Sequence, residues 1–507
     1  MRWIVWVALA LLAAGPASAD WRQARTAHFI LSIDDTEANA RDFAARLERF
    51  DAGLRLLYGL KDDPAQALRP ISIYALREAP YFKACGCPGV LGLYTPQASG
   101  SFILSLHTPD LDRKAKIGQW SSLVVLLHEY SHHFMFSNFP VAYPMWFSEG
   151  FAEFNANTSF EDDGSMIVGY PANYRADGLS SAYRASLKQL LDPEHFGYPD
   201  DVSLIYSRGW LLTHMLMLRH DRAGQLNTFL AAMNRGVPSI DAAAQAFGDL
   251  KKLDTDLDLY RRGKLAAPLR IPPGPPVAVT VTTMPRGQAA LLPLYVQIRE
   301  VDKSLYLGIA MEAEGIAKRY PDDAVVQSQV AEMEYTAKRL DKADEAADRA
   351  LALQPDLGPA LVVKGRVAVS RASLAKSADS KVWAAARAWY LKANRLDPDA
   401  VMPLYMYYTS FVAANEKPTP GAVRALMRSA VLAPESGGIR MAVALQALAD
   451  GDGATARQAL QSIAYSPHAT RSKNLPLEAL KLIDQEKLAE ARTLLLPKDK
   501  DRETDGE

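Results

Sequence analysis

Cysteine is nearly absent: the 507 residues include two, Cys85 and Cys87. So few thiols rule out a disulfide framework, and a cysteine-built structural zinc site would need more ligands. In an oxidising compartment the Cys-Gly-Cys pair could close a tight disulfide that is easily reduced. The alternative is two exposed thiols in a loop. An excess of one charge is missing as well. Lys and Arg total 57 against 58 Asp and Glu, a formal net charge of −1, which gives no electrostatic case for nucleic-acid binding. Beyond residue 19 no apolar run is long enough to span a bilayer, so no stable membrane anchor is expected. Histidine is scarce at nine, which gives weight to any histidines that cluster.

What is present begins with a leader pattern. Met1-Arg2-Trp3 precedes the apolar Ile4–Leu12, and Ala17-Ser18-Ala19 supplies a small-residue cleavage site. The first 19 residues therefore read as a signal peptide, with Asp20 as the new terminus. No cysteine follows the site to carry a lipid. The expected location is exported: periplasmic if the source is Gram-negative, otherwise secreted. A chain of this length is too long for one ordinary core, so two or three domains are expected.

The most informative segment is His128-Glu129-Tyr130-Ser131-His132, followed by Trp146-Phe147-Ser148-Glu149-Gly150. Residues four apart share one helical face, so His128 and His132 can present their imidazoles to one divalent ion. Glu129 adjoins the first and can act as base toward a water in the open position. A chance His-Glu-x-x-His in such a chain is roughly a one-in-a-hundred event. Ser121-Ser122 offers an N-cap, Leu123–Leu127 are aliphatic, and the Pro140–Pro144 region ends the helix. A helix apolar nearly all round is buried, and buried imidazoles beside a carboxylate need partners, which a metal supplies. The plainer reading is a core helix whose histidines bond backbone carbonyls.

His128-Glu129-x-x-His132 with Trp146-x-x-Glu149-Gly150-x-x-Glu153 resembles the gluzincins, the thermolysin-like clan of zinc metallopeptidases, and more narrowly the peptidase-MA-like domains of secreted bacterial proteins. The metzincin pattern would need glycine at position 135 and histidine at 138, where this chain has Met135 and Asn138. The Gly-x-Met-Glu-Asn segment of the aminopeptidases does not precede the motif. The resemblance implies Zn2+ held by His128, His132 and Glu149, with Glu129 as general base and a peptide or protein as substrate. It implies that Glu153, one turn beyond Glu149, accepts a hydrogen bond from a ligand imidazole; an exposed helix carboxylate is the alternative. His133 should point about a quarter turn away. Tyr206 is the candidate donor to a developing oxyanion, His214 its rival, and Arg208 a candidate for binding a substrate carboxylate. An amphipathic tyrosine anchoring a helix end is the alternative for Tyr206.

The expected fold is α+β: a gluzincin-like domain over 20–264, mixed sheet plus helices, then an all-α tetratricopeptide-like solenoid. His28–Ile33, Ile71–Leu76 and Ser101–Leu106 read as strands, and Thr36–Tyr58 as a helix with a stripe through Phe43, Leu47, Phe50, Leu54 and Leu57. The resemblance implies that the last strand before the motif is an exposed edge that pairs with substrate, which would be Ser101–Leu106. Residues 115 to about 262 read as mainly helical, with a flexible loop at Glu161–Ser165. Five prolines between Leu265 and Pro276 predict a semi-rigid linker, 265–294. Pro321, Pro355, Pro398 and Pro434 then punctuate helical stretches. Ala343, Ala350 and Pro355 have the small-small-Pro offsets of a tetratricopeptide second helix; Ala386, Ala393 and Pro398, then Ala422, Ser429 and Pro434, repeat them. Helix pairs over 295–497, with a charged tail at 498–507, would offer a surface for a protein partner. A generic helical bundle is the alternative there. The competing function is a binding adaptor whose peptidase-like domain is not catalytic.

Overall fold

The computed structural model describes residues 21–61, 69–77, 91–109, 115–180, 185–199, 201–465 and 474–496. The expected signal peptide, the Cys85–Cys87 pair and the charged tail lie outside them.

A six-stranded mixed sheet organises the first part of the chain. Its strands are β1 (Trp21–Arg25), β2 (Phe29–Asp34), β3 (Ile71–Leu76), β4 (Gly92–Thr95), β5 (Phe102–Leu106) and the late β9 (Thr280–Thr283), in the order β4-β5-β3-β2-β1-β9. β2, β3 and β5 run parallel, while β4 pairs antiparallel with β5. Side chains alternate between the two faces of a strand. Ile73, Ala75 and Ile103 enter the main core, while Tyr74, Leu76, Phe102 and Leu104 enter a second one on the opposite face. Both faces are thus covered, which is why β3 and β5 are mostly apolar, with one serine each, Ser72 and Ser105.

Helix α1 (Glu37–Leu57) buries Leu47, Phe50 and Leu54 in the main core, and Thr36 caps it by accepting a hydrogen bond from the Asn39 amide. Two helices at the motifs follow: α2 (Ser122–Asn138), capped by Ser121, and α3 (Met145–Ala156), which starts after Pro144. A second, three-stranded sheet comprises β6 (Thr158–Phe160), β7 (Met166–Val168) and β8 (Leu269–Ile271). Helix α4 (Ser203–Leu218) packs along α3.

Three expectations need correcting. β5 is not the exposed edge; it lies between β3 and β4, and β4 holds the edge. The Glu161–Ser165 loop is the tight turn of the β6–β7 hairpin, closed by Glu161 N–H to Ser165 O at 2.9 Å. The proline-rich segment 265–294 is no linker. It contributes β8 to one sheet and β9 to the other, and starts helix α5 (Arg286–Gln297), whose Leu292 and Val296 cover the sheet's second face. Prolines suit these places because β8 and β9 are both edge strands of their sheets.

Beyond α5 the described chain is a succession of helices ending at Leu495, each packed mainly on its neighbours in sequence. Ala343, Ala350, Ala386, Ala393, Ala422 and Ser429 are all buried between helices, and Pro355, Pro398 and Pro434 follow helix ends. Among the described residues no helix is long and apolar enough to cross a membrane.

Candidate metal centre

Helix α2 presents His128 and His132 one above the other, and α3 brings Glu149 against them. The Nε2 atoms of His128 and His132 are 3.2 Å apart. Oε2 of Glu149 lies 3.3 Å from the first and 3.4 Å from the second. Among the described residues this is the one cluster of three metal-ligating side chains. Ligand atoms about 2.0–2.1 Å from a tetrahedral ion stand about 3.3 Å from each other. The triangle therefore has the size that such an ion requires.

The Glu149 carboxylate supplies a second reason. It is 0 % exposed, and neither oxygen has a partner in hydrogen-bond geometry among the described residues. A buried carboxylate without hydrogen bonds is costly unless a cation compensates it. Burial alone would raise the pKa of this carboxyl, but His132 and His128 hold it far below the usual range. Burial would likewise depress His128; contacts with Glu149 and Glu153 outweigh it and push the imidazole up to about 10. The pocket thus favours positive charge, and its three donors fit a divalent metal ion.

The surrounding side chains fix this geometry. Oε1 of Glu153 lies 3.3 Å from His128 Nδ1, the ring nitrogen turned away from the triangle. Its other oxygen accepts a hydrogen bond from the Tyr174 hydroxyl at 2.7 Å, and Arg175 pairs with Oε1. Despite burial, these contacts hold Glu153 down at about 2. Ser148 Oγ stands 3.4 Å from His132 Nδ1. Each imidazole is thus oriented through the nitrogen that faces away from the triangle.

Glu129 leans toward β4, where its Oε2 accepts a 2.9 Å hydrogen bond from the Tyr94 amide. Gly92 makes this approach possible: a Cβ there would lie 2.5 Å from Val125 Cγ1 and 3.0 Å from Glu129 Cγ. Tyr206 joins the site from α4. Its ring lies nearly parallel to that of His128, centroids 6.2 Å apart. The charge of Glu149, and then burial, raise its pKa well above the ordinary value, so the hydroxyl keeps its proton. Two glycines bring α4 this close. A Cβ on Gly209 would strike the Trp146 carbonyl oxygen, and one on Gly150 would lie 2.5 Å from the Gly209 carbonyl oxygen.

The structure therefore brings together His128, Glu129, His132, Glu149, Glu153 and Tyr206. It leaves out the other three candidates. His214, the rival to Tyr206, commits both ring nitrogens, to the Tyr260 hydroxyl at 2.8 Å and the Gly169 carbonyl at 3.1 Å. Arg208, proposed for a substrate carboxylate, is instead buried against Asp254. His133 points toward β4, with Nδ1 3.3 Å from the Tyr94 hydroxyl. Sequence reasoning missed Tyr94, Ser148, Tyr174 and Arg175. Ser148 was in view, inside the motif and next to Glu149. The guanidinium of Arg175 lies 5.0 Å from the Trp120 ring and 5.1 Å from that of Tyr206, and no local pattern announces it. No family model matches the chain, and a search of the curated proteins likewise finds no match.

Proposed function

We propose that this chain is an exported, zinc-dependent peptidase of gluzincin type, in which a catalytic domain is joined to a tetratricopeptide-like helical stack. The observation that carries this reading is the ligand triangle with Glu129 directly beside it on α2. Two histidines and a carboxylate leave a position open, as hydrolytic zinc sites do, whereas structural sites are closed by four protein ligands. Bound there, zinc would polarise a scissile carbonyl and increase the acidity of a water.

The chain's own residues supply the remaining chemistry. The Tyr94 amide pins one oxygen of Glu129, leaving the other to take a proton from water and return it to the leaving amine. Tyr206, kept protonated by its surroundings, is suited to donate a hydrogen bond to the carbonyl oxygen as negative charge builds on it. Glu153 and Ser148 hold the imidazoles in the tautomer that offers Nε2 to the ion.

The test is Glu129→Gln in the full chain. The variant should bind one zinc per chain as the parent does, while hydrolysis of a peptide pool falls by about 10^2–10^4. Zinc bound by the parent with no turnover on any pool would favour the adaptor reading instead.

A further inference from the structure

Strand β4 is held from two sides. On one side the Tyr94 amide binds Glu129. On the other the helical stack clasps the β4–β5 hairpin: Thr95 Oγ1 donates to Glu300 at 2.9 Å, and Ser101 Oγ donates to Glu435 Oε1 at 2.8 Å. Ala98, in the turn, packs against the core of the last helices. Ser101 immediately precedes β5, whose Phe102 pairs with Thr95, the neighbour of Tyr94. Tyr94 is 2 % exposed, and its hydroxyl lies 3.3 Å from His133 Nδ1. His133 immediately follows the ligand His132 on α2. The stack thus reaches the helix carrying the triangle through the paired strands of the β4–β5 hairpin.

We infer that Glu435 of the helical stack is a positioning residue for Glu129, acting through Ser101 and Tyr94, so that the stack is a working part of the metal site. Four residues is a short strand, and an edge strand has pairing on one side alone. β4 alone would leave the Tyr94 amide free to fray from Glu129. Fixing Ser101 removes that freedom because Ser101 leads directly into the β5 residues that pair with β4, and its hydroxyl accepts a hydrogen bond from the Gln97 amide in the turn between the two strands. Charge-assisted acceptors such as Glu435 make stronger hydrogen bonds than neutral ones. A carboxylate one bond closer or further from its target changes the rate steeply, since small displacements of a base are costly.

The idea rests on the peptidase reading for its effect on rate, but its structural part does not. The experiment is amide hydrogen exchange at Tyr94 in the full-length, zinc-loaded protein, comparing the parent with Glu435→Ala, Glu435→Gln and Glu129→Ala. Glu129→Ala sets the scale for an amide that has lost its acceptor. Glu435→Ala should speed Tyr94 exchange at least tenfold, leaving the amides of β2 and β3 and the zinc content unchanged. Glu435→Gln keeps an acceptor for Ser101 and should stay within about threefold of the parent. On a hydrolysed peptide, Glu435→Ala should lower kcat about tenfold with KM unchanged. Unchanged Tyr94 exchange in Glu435→Ala would overturn the inference, and so would acceleration spread evenly over the sheet, which marks a merely structural contact. A parent with no hydrolytic activity would sink the peptidase reading, while the exchange result would still decide whether the stack holds the strand.

Discussion

Four buried or nearly buried histidines divide into two pairs that differ in what faces them. His128 and His132 meet Glu149, and His128 also meets Glu153; His128 is pushed up to about 10. His133 and His214 meet hydroxyls and a backbone carbonyl, and burial pushes them down to about 3 and about 4. His132 and His133 are adjacent in sequence. Burial is common to both pairs, so it cannot explain the difference. Carboxylates do: two of them turn one face of α2 into a place that stabilises positive charge, while a quarter turn away the same residue type is a neutral structural group. Motif spacing selects the histidines that can converge, and the acidic residues of α3 decide which of them could hold a cation.

This contrast can be broken at three points. The largest effect is expected from Gly209→Ala, because the added methyl meets the Trp146 backbone, which cannot rotate away. The helices must separate, at a cost of about 1–3 kcal/mol or more. Glu149 and Tyr206 would move with them. Denaturant unfolding should show the loss of stability, and zinc titration a weaker site. Next is Glu153→Gln, which removes the charge behind His128 without altering the triangle. Zinc affinity should fall about 10–100-fold, as for other changes behind a ligand imidazole; an unchanged affinity would mean that the carboxylate does not act through His128.

The smallest effect concerns the neutral pair. His214 titrates at about 4 when folded, against 6.5 in a free side chain. Between these values the unfolded chain binds the proton and the folded chain does not, so stability rises with pH across this window. The contribution is present above pH 6.5 and is lost as pH falls toward 4. His214→Gln should flatten the dependence of urea unfolding between pH 6.5 and 4, and an unaltered slope would show that the proton is taken up elsewhere.

How much of this was legible in the sequence followed the range of the interactions. The stripe from Phe43 to Leu57 defined α1 to within a residue at each end, Thr36–Tyr58 expected against Glu37–Leu57 found, since it is a local signal. Ile71–Leu76 was read correctly as a strand for the same reason. Histidines four apart gave two corners of the triangle, because helical geometry converts spacing into direction; Glu149 as the third was implied by the resemblance. The place of β5 in the sheet was not legible: an apolar run identifies a strand but not its neighbours. β1, β4 and β9 are short, and β9 pairs with a strand some 250 residues earlier. Arg208 was read as a candidate for binding a substrate carboxylate, and Arg175 was not singled out. The helix turns Arg208 toward Asp254, while a short turn more than thirty residues earlier in sequence puts Arg175 against the Tyr206 ring. Prolines 268–276 suggested a spacer because nothing local reveals that edge strands flank them.

The most direct test is metal stoichiometry. The purified protein, dialysed after exposure to excess zinc, should retain one ion per chain by elemental analysis, and Glu149→Gln or His132→Ala should retain essentially none. A parent protein that keeps no metal, or a Glu149→Gln variant that keeps as much as the parent, would contradict the site described here.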